Sequence, residues 1–412
     1  MSNVLSLFDG MACGMLAQQG AGVKVDRYVA FEIDKYAIQT SSHNFPMIEH
    51  RGDVFDADFT EFKGFDWLVG GSPCTYWSVA QKNNRETAAS GLGWDLFSQY
   101  VRALQEAKPK YFIYENNKSM SQAIRSSINE TFGFEAVPIN SALVSAQHRQ
   151  RLYWVGKRNV DGTYSKVDVV QPQDKGILLK DILESGCAWQ EKAFVYTTRC
   201  HAAVIKDTLE RHRHPMVAEP VNPTIDGKSR TIKPQYYKNG LANFVTNGGH
   251  NATAVAEPVL DSIRVGALPR PNGELSTSQA MRVYSIEGKS VNLTSGGGGM
   301  GGKTGLYAIP VEFEEDKPLK ATSATDGKTY TVYKVQDGVI FIKGKAYPIK
   351  LSDGYYIIRK LTVRECMRLQ TVPEWYEFPV SSTQAYKMLG NGWTVDVITH
   401  LIQSTLKDSN KQ

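Results

Sequence analysis

The chain has 412 residues, 42% of them hydrophobic, and a formal net charge of +5. That length points to two domains, and the apolar share is enough for a sizeable core. Five widely spaced cysteines without a CxxC pair exclude a disulfide framework or zinc knuckle, and no basic-apolar leader or run of about 18 apolar residues marks secretion or a membrane span.

In chain order, the first half alternates short apolar runs with helical patterns. Residues 4–7 form an apolar run that ends at Asp9-Gly10, and residues 28–31 form another that ends at Glu32. Residues 67–69 lead into Gly70-Gly71. Residues 95–107 place Leu96, Phe97, Tyr100, Val101 and Leu104 on one helical face, and Pro109 breaks the pattern. Residues 111–114 run into Glu115, and residues 152–155 form a later apolar run. This rhythm predicts an α/β fold, a doubly wound, mostly parallel sheet with helices on both faces. Ligands in such sheets bind beyond the carboxyl ends of the strands, where Asp9, Glu32, Cys74 and Glu115 fall.

From about residue 180 the periodicity weakens. Residues 295–305 read SGGGGMGGKTG, either a flexible loop or backbone that meets a ligand closely. AEPV occurs at 218–221 and again at 256–259, weak evidence for a repeat. Regular structure returns near residue 357. Thr362 with Glu365 forms a capping-box pattern, and residues 393–406 predict a last helix.

Four local patterns carry chemistry. Gly70-Gly71-Ser72-Pro73-Cys74 puts a cysteine after a proline at a strand end. A lone cysteine is commonly a small buried hydrophobe, but Ser72, Pro73, Thr75 and Tyr76 are not core-like neighbours. Glu115-Asn116-Asn117 follows a strand. Gln147-His148-Arg149-Gln150-Arg151 precedes one, so Gln147, Arg149 and Arg151 are expected to point together. Phe8-Asp9-Gly10-Met11-Ala12-Cys13-Gly14 is a glycine turn whose backbone amides suit a ligand. Singly, each also reads as a solvated strand end or an ordinary turn. The mild basic excess permits a polyanionic partner without requiring one, and the run Arg211-His212-Arg213-His214 reads equally as a phosphate contact or a solvated helix end.

Together and in order, these residues resemble the DNA cytosine-C5 methyltransferase family, over about residues 3–160 and 357–402. FDGMACG resembles its first cofactor motif and GGSPC its nucleophile loop. ENN resembles its ENV, and QHRQR its QxRxR. RKLTVRECMRL at 359–369 and Gly390-Asn391-Gly392-Trp393 resemble its last two motifs. VLSLFDG, GGSPC and Trp393 are similar to the eukaryotic de novo enzymes and their phage or bacterial relatives. Two departures stand out. Asn117 replaces an apolar residue, and Ala12-Cys13 stands where many members have Gly-Gly.

The resemblance implies a Rossmann-like catalytic domain over residues 1–178 and 357–412. Residues 179–356 would be an irregular α+β target-recognition domain, and the protein would lie in the cytoplasm of a bacterial or phage-infected cell. It implies catalysis by Cys74, Glu115, Arg149 and Arg151: Cys74 attacks C6, Glu115 contacts N3 and the amino group, Arg151 contacts O2, and Arg149 steadies the loop. It implies that Phe8, Asp9, Gly10, Met11, Gly14, Glu32, Ile33, Asp53, Val54, Ser72, Pro73, Leu96, Asn391, Gly392 and Trp393 bind S-adenosylmethionine. Residues 77–94 would close over double-stranded DNA, with Val79, Ala80 or Gln81 filling the space of a flipped base. No metal and no obligate protein partner are expected, and the enzyme is expected to act as a monomer on DNA. Two alternatives are a tRNA-modifying member, which would have a shorter recognition region, and an inactive DNA-binding homologue, against which the retained Cys74, Glu115, Arg149 and Arg151 argue.

Overall fold

The computed structural model describes residues 1–78, 85–186, 188, 193, 205, 209, 216–220, 264–267, 282–284, 306–307, 320–323, 325–342, 345–349 and 351–409. Val79, Ala80, Gln81, the 211–214 run, the 295–305 glycine run and the second AEPV lie outside the described residues. The chain divides into two compact units. One comprises Met1–Leu183, Gln190–Pro215 and Lys360–Gln412, and the other Glu184–Trp189 and Met216–Arg359.

The first unit is built on a sheet of β1 (Ser2–Leu7), β2 (Val25–Phe31), β3 (Glu49–His50), β4 (Trp67–Gly70), β5 (Tyr111–Asn117), β6 (Val137–Asn140), β7 (Gln150–Arg158) and β8 (Tyr164–Lys166). Their order is β3-β2-β1-β4-β5-β7-β6, with β8 beside β7. β1 to β5 run parallel, and β7 is antiparallel to β5, β6 and β8. The strand order reverses between β1 and β4, and in open α/β sheets ligands bind at such a point.

Side chains alternate across these strands as the period of two requires. Leu5, Leu7, Phe31, Leu68 and Phe112 point into one core cluster. Helix α3 (Leu92–Ala107) covers that face with Phe97, Tyr100, Ala103, Leu104 and Ala107, spaced by three or four. The Tyr100 hydroxyl, buried with its ring, donates to the carbonyls of Leu68 and Ile113 at 3.2 and 2.9 Å. The helix starts three residues before residue 95, where the periodicity places it. Glu86 lies outside the helix and accepts from the Gly93 N–H at 3.2 Å, so a first-turn donor is satisfied. Helix α4 (Gln122–Phe132) adds Ile124 and Ile128 to the same core.

Of the remaining helices, α1 (Cys13–Gly20) and α2 (Lys35–Asn44) follow β1 and β2. The chain returns late through α5 (Val363–Leu369), α6 (Ser382–Asn391) and α7 (Val395–Ser409). α1 packs on α7 so closely that a Cβ on Gly20 would sit 2.8 Å from Thr399 Oγ1.

The described elements of the second unit are strands. β10 (Arg264–Ala267), β11 (Arg282–Tyr284) and β12 (Leu306–Tyr307) form one sheet. The other contains β9 (Met216–Pro220), β13 (Lys320–Thr322), β14 (Thr329–Gln336), β15 (Val339–Ile342), β16 (Lys345–Pro348) and β17 (Gly354–Lys360) in the order β16-β15-β14-β17-β9, with β13 beside β14. Arg359 on β17 is fully buried and pairs with Glu219 on the neighbouring β9 at 2.5 Å. Ser185 and Thr325 also donate to that carboxylate.

Candidate active site

The carboxyl ends of β1, β2, β4 and β5 bring the sequence-predicted residues to one edge of the first sheet. After β1, Phe8, Gly10 and Ala12 all take left-handed backbone, at φ 57°, 60° and 61°. For Phe8 and Ala12 this conformation costs about 1 kcal/mol or more each, and such strain concentrates at functional turns. The turn is held by Glu32. Its carboxylate accepts from the N–H groups of Gly10, Ile33 and Asp34, each at 2.8 Å.

Asp9 sits in that turn, 8% exposed. One oxygen accepts from Ser6 Oγ at 2.6 Å and the Tyr28 hydroxyl at 2.7 Å, while Oδ2 is buried with no partner. Burial, set against these two hydrogen bonds, pushes its carboxyl up to about 6.

Not every expected cofactor residue faces this edge. Val54 is 4% exposed and belongs to the core cluster, because Asp53 caps the turn after it by accepting from Phe55 N–H at 3.0 Å. The exposed apolar side chain there is Phe55, which the sequence reading missed, and Ile33 is exposed as well. Met11 has a buried side chain, and its carbonyl accepts from the Tyr376 hydroxyl at 2.6 Å. Gly14 serves helix–sheet packing, since a Cβ there would lie 2.5 Å from the Tyr28 hydroxyl. Leu96 stands in the second turn of α3, packed against the core.

Beyond β4, the segment leading to Cys74 is tied to β5. Buried Ser72 shares a 2.6 Å hydrogen bond with the Tyr114 hydroxyl, and Asn116 Nδ2 donates to the Ser72 carbonyl at 3.2 Å. Pro73 is exposed, and Cys74 opens a short 3-10 turn, Cys74–Tyr76. Gly71 is required by close approach. A Cβ there would sit 2.8 Å from both the carbonyl oxygen and Oε2 of Glu115. Asn117, polar where an apolar residue is usual in the resembled motif, is buried, and its Oδ1 accepts from Ser119 Oγ at 2.7 Å.

Glu115 lies on β5 and pairs with Tyr153 in register, while Asn117 pairs with Arg151. Glu115 and Arg151 are therefore diagonal neighbours on one face, and Arg151 Nε meets Glu115 Oε1 at 3.0 Å. Trp393 Nε1 donates to the other oxygen, Oε2, at 3.0 Å.

The expectation that Gln147, Arg149 and Arg151 point together is corrected. β7 begins only at Gln150, so the strand alternation does not reach back to residues 147 and 149. Arg149 is buried and donates to the carbonyls of Gly390 and Gly392 at 3.3 and 2.8 Å. Gln147 reaches the Leu369 carbonyl. Gln370, which no sequence signal marked, donates to the carbonyls of Leu389 and Gly392 at 2.6 and 3.3 Å. Arg149 and Gln370 thus hold the turn of Gly390, Asn391, Gly392 and Trp393 in place.

The sequence model of the C-5 cytosine-specific DNA methylase family matches residues 2–407. The orphan methyltransferase M.SPRI of Bacillus phage SPR is 25% identical over 454 aligned positions, covering 98% of this chain and 97% of its own. M.Rho11sI of Bacillus phage rho11s, also an orphan methyltransferase, is 27% identical over 366 positions, covering 81% of this chain and 67% of its own. The crystal structure of S. pombe Dnmt2 methyltransferase superposes with a TM-score of 0.50 over 100% of both chains at 12% identity, a likeness of fold.

Proposed function

Because the chain belongs to the C-5 cytosine-specific DNA methylase family, we propose that it methylates C5 of a cytosine flipped out of duplex DNA, with S-adenosylmethionine as donor and Cys74 as nucleophile. The observation that carries this reading is Glu115, a carboxylate held by Arg151 against the backbone at Gly71, three residues before Cys74.

Cytosine C5 is a weak nucleophile. Addition of the Cys74 thiolate to C6 breaks the C5–C6 double bond and makes C5 electron-rich. Glu115 gives a proton to N3 and accepts a hydrogen bond from the amino group, so charge on the ring is neutralised as sulfur adds. Once C5 carries the new methyl group, loss of the C5 proton and elimination of the sulfur restore the double bond and free Cys74. An ordinary thiol, with a pKa of about 8.5, is only a few per cent thiolate at neutral pH. The base is out of reach inside a duplex and must be extruded, at a cost of a few kcal/mol.

The first unit's strand ends suit the donor. Asp9 offers a buried carboxylate oxygen without a partner, the acceptor that a cationic group requires. Exposed Ile33 and Phe55 offer apolar surface for a purine. When bound, S-adenosylmethionine supplies an electrophilic methyl group on a sulfonium. Glu32, Asp53, Ser72 and the Gly390, Asn391, Gly392 turn complete its proposed surroundings, and residues 179–356 are assigned to target recognition.

Expression in a methylation-free bacterium followed by bisulfite sequencing tests the reading. We expect 5-methylcytosine in a fixed sequence context with the wild type and none with Cys74→Ser. Unmethylated DNA from the wild type, or near wild-type methylation by the serine variant, would overturn it.

A further inference from the structure

We propose that Trp393 is a positioning residue for the Glu115 carboxylate, a role that rests on the methyl-transfer reading and extends it. The Glu115 side chain is 11% exposed. Its two oxygens are engaged separately, Oε1 by Arg151 and Oε2 by Trp393, both at 3.0 Å. One donor leaves a carboxylate free to rotate about its last bond. A second donor on the other oxygen fixes its plane, and a fixed plane presents the group to a flat base. The Gly71 backbone closes the remaining side.

The indole N–H donates and has no acceptor function, so Trp393 orients the carboxylate without exchanging a proton with it.

Trp393 is itself anchored. Arg149 and Gln370 hold the carbonyl of the preceding Gly392, and the buried Cys13 thiol, at the start of α1, lies 3.9 Å from the Trp393 carbonyl oxygen. The indole therefore links Glu115 to the turn assigned to the donor. A shift of that turn reaches the reacting end of the site through one hydrogen bond spanning 278 residues of sequence.

Trp393→Phe keeps a ring and removes the donor. In single-turnover methyl transfer to duplex DNA at saturating S-adenosylmethionine, we expect its rate to fall about tenfold or more. Its donor affinity by calorimetry should stay within about threefold. A wild-type rate in the variant overturns the positioning role. So does a change confined to donor affinity, which would make Trp393 a cofactor contact alone.

Nitrogen-15 spectra of the tryptophan-labelled protein provide a second measurement should the variant fold poorly. The chain has seven tryptophans, and Glu115→Gln should shift one indole N–H signal; no shift in any of them overturns the contact. A wild-type chain that transfers no methyl group overturns the functional reading and this role with it. An active wild type with an unaffected Trp393→Phe overturns this role alone.

Discussion

Asp9 stands where burial and the positive charge of the proposed methyl donor would oppose each other. Its carboxyl is raised from 3.8 to about 6. A raised carboxyl holds its proton more tightly in the folded chain, so it favours the fold at low pH. That contribution is lost as pH rises from about 4 to about 6. A cationic ligand beside Oδ2 favours the ionised form instead. Affinity for S-adenosylmethionine should therefore tighten about tenfold between pH 5 and pH 7, since one pKa unit is about 1.4 kcal/mol. Asp9→Asn should flatten that dependence. Calorimetric titrations across this range check it, and equal wild-type affinities at both ends would contradict it. The strand-end places of Glu115 and Arg151 follow from the apolar runs at residues 111–114 and 152–155, whereas their diagonal pairing rests on the antiparallel register of β5 and β7, which the sequence does not show. Val54, Arg149 and the Trp393–Glu115 bond were not legible in it either. Where those side chains point is set by a capped turn, by the starting residue of β7, and by a chain return more than 200 residues away.

Local signals served best where an element's boundary is decided by its own residues. Thr362 and Glu365 form the reciprocal capping box that their spacing implies, with Thr362 Oγ1 accepting from Glu365 N–H at 3.1 Å and Glu365 Oε2 accepting from Thr362 N–H at 2.8 Å. Thr362→Ala should cost about 1 kcal/mol, read as a lower midpoint in urea unfolding with unchanged slope; an unmoved midpoint would show the cap to be idle. Boundaries decided from outside were not legible. α3 starts early because Glu86 reaches its first turn, and the antiparallel direction of β7 depends on a connection that apolar periodicity does not encode.

For the molecule as a whole, the net charge of +5 gains meaning from the proposed duplex substrate. Each phosphate neutralised contributes a slope of about −0.9 to log affinity against log salt. Binding of a cognate duplex, measured by fluorescence anisotropy between 50 and 200 mM salt, should fall with a slope steeper than about −3. A flat response would argue against a phosphate-tracking surface. The periodicity weakens near residue 180, close to Glu184, where the second unit begins, and that unit's described elements are strands. The pairing within its sheets is not legible in the sequence, because β9 and β17, neighbours in one sheet, come from opposite ends of the unit. Its Glu219–Arg359 pair has a consequence of its own. It fastens β9 to β17, so the chain leaves and re-enters that sheet side by side. The 139 positions between them (220–358) are thus bracketed by one buried ion pair, and removing either partner would leave the other's charge stranded inside the fold.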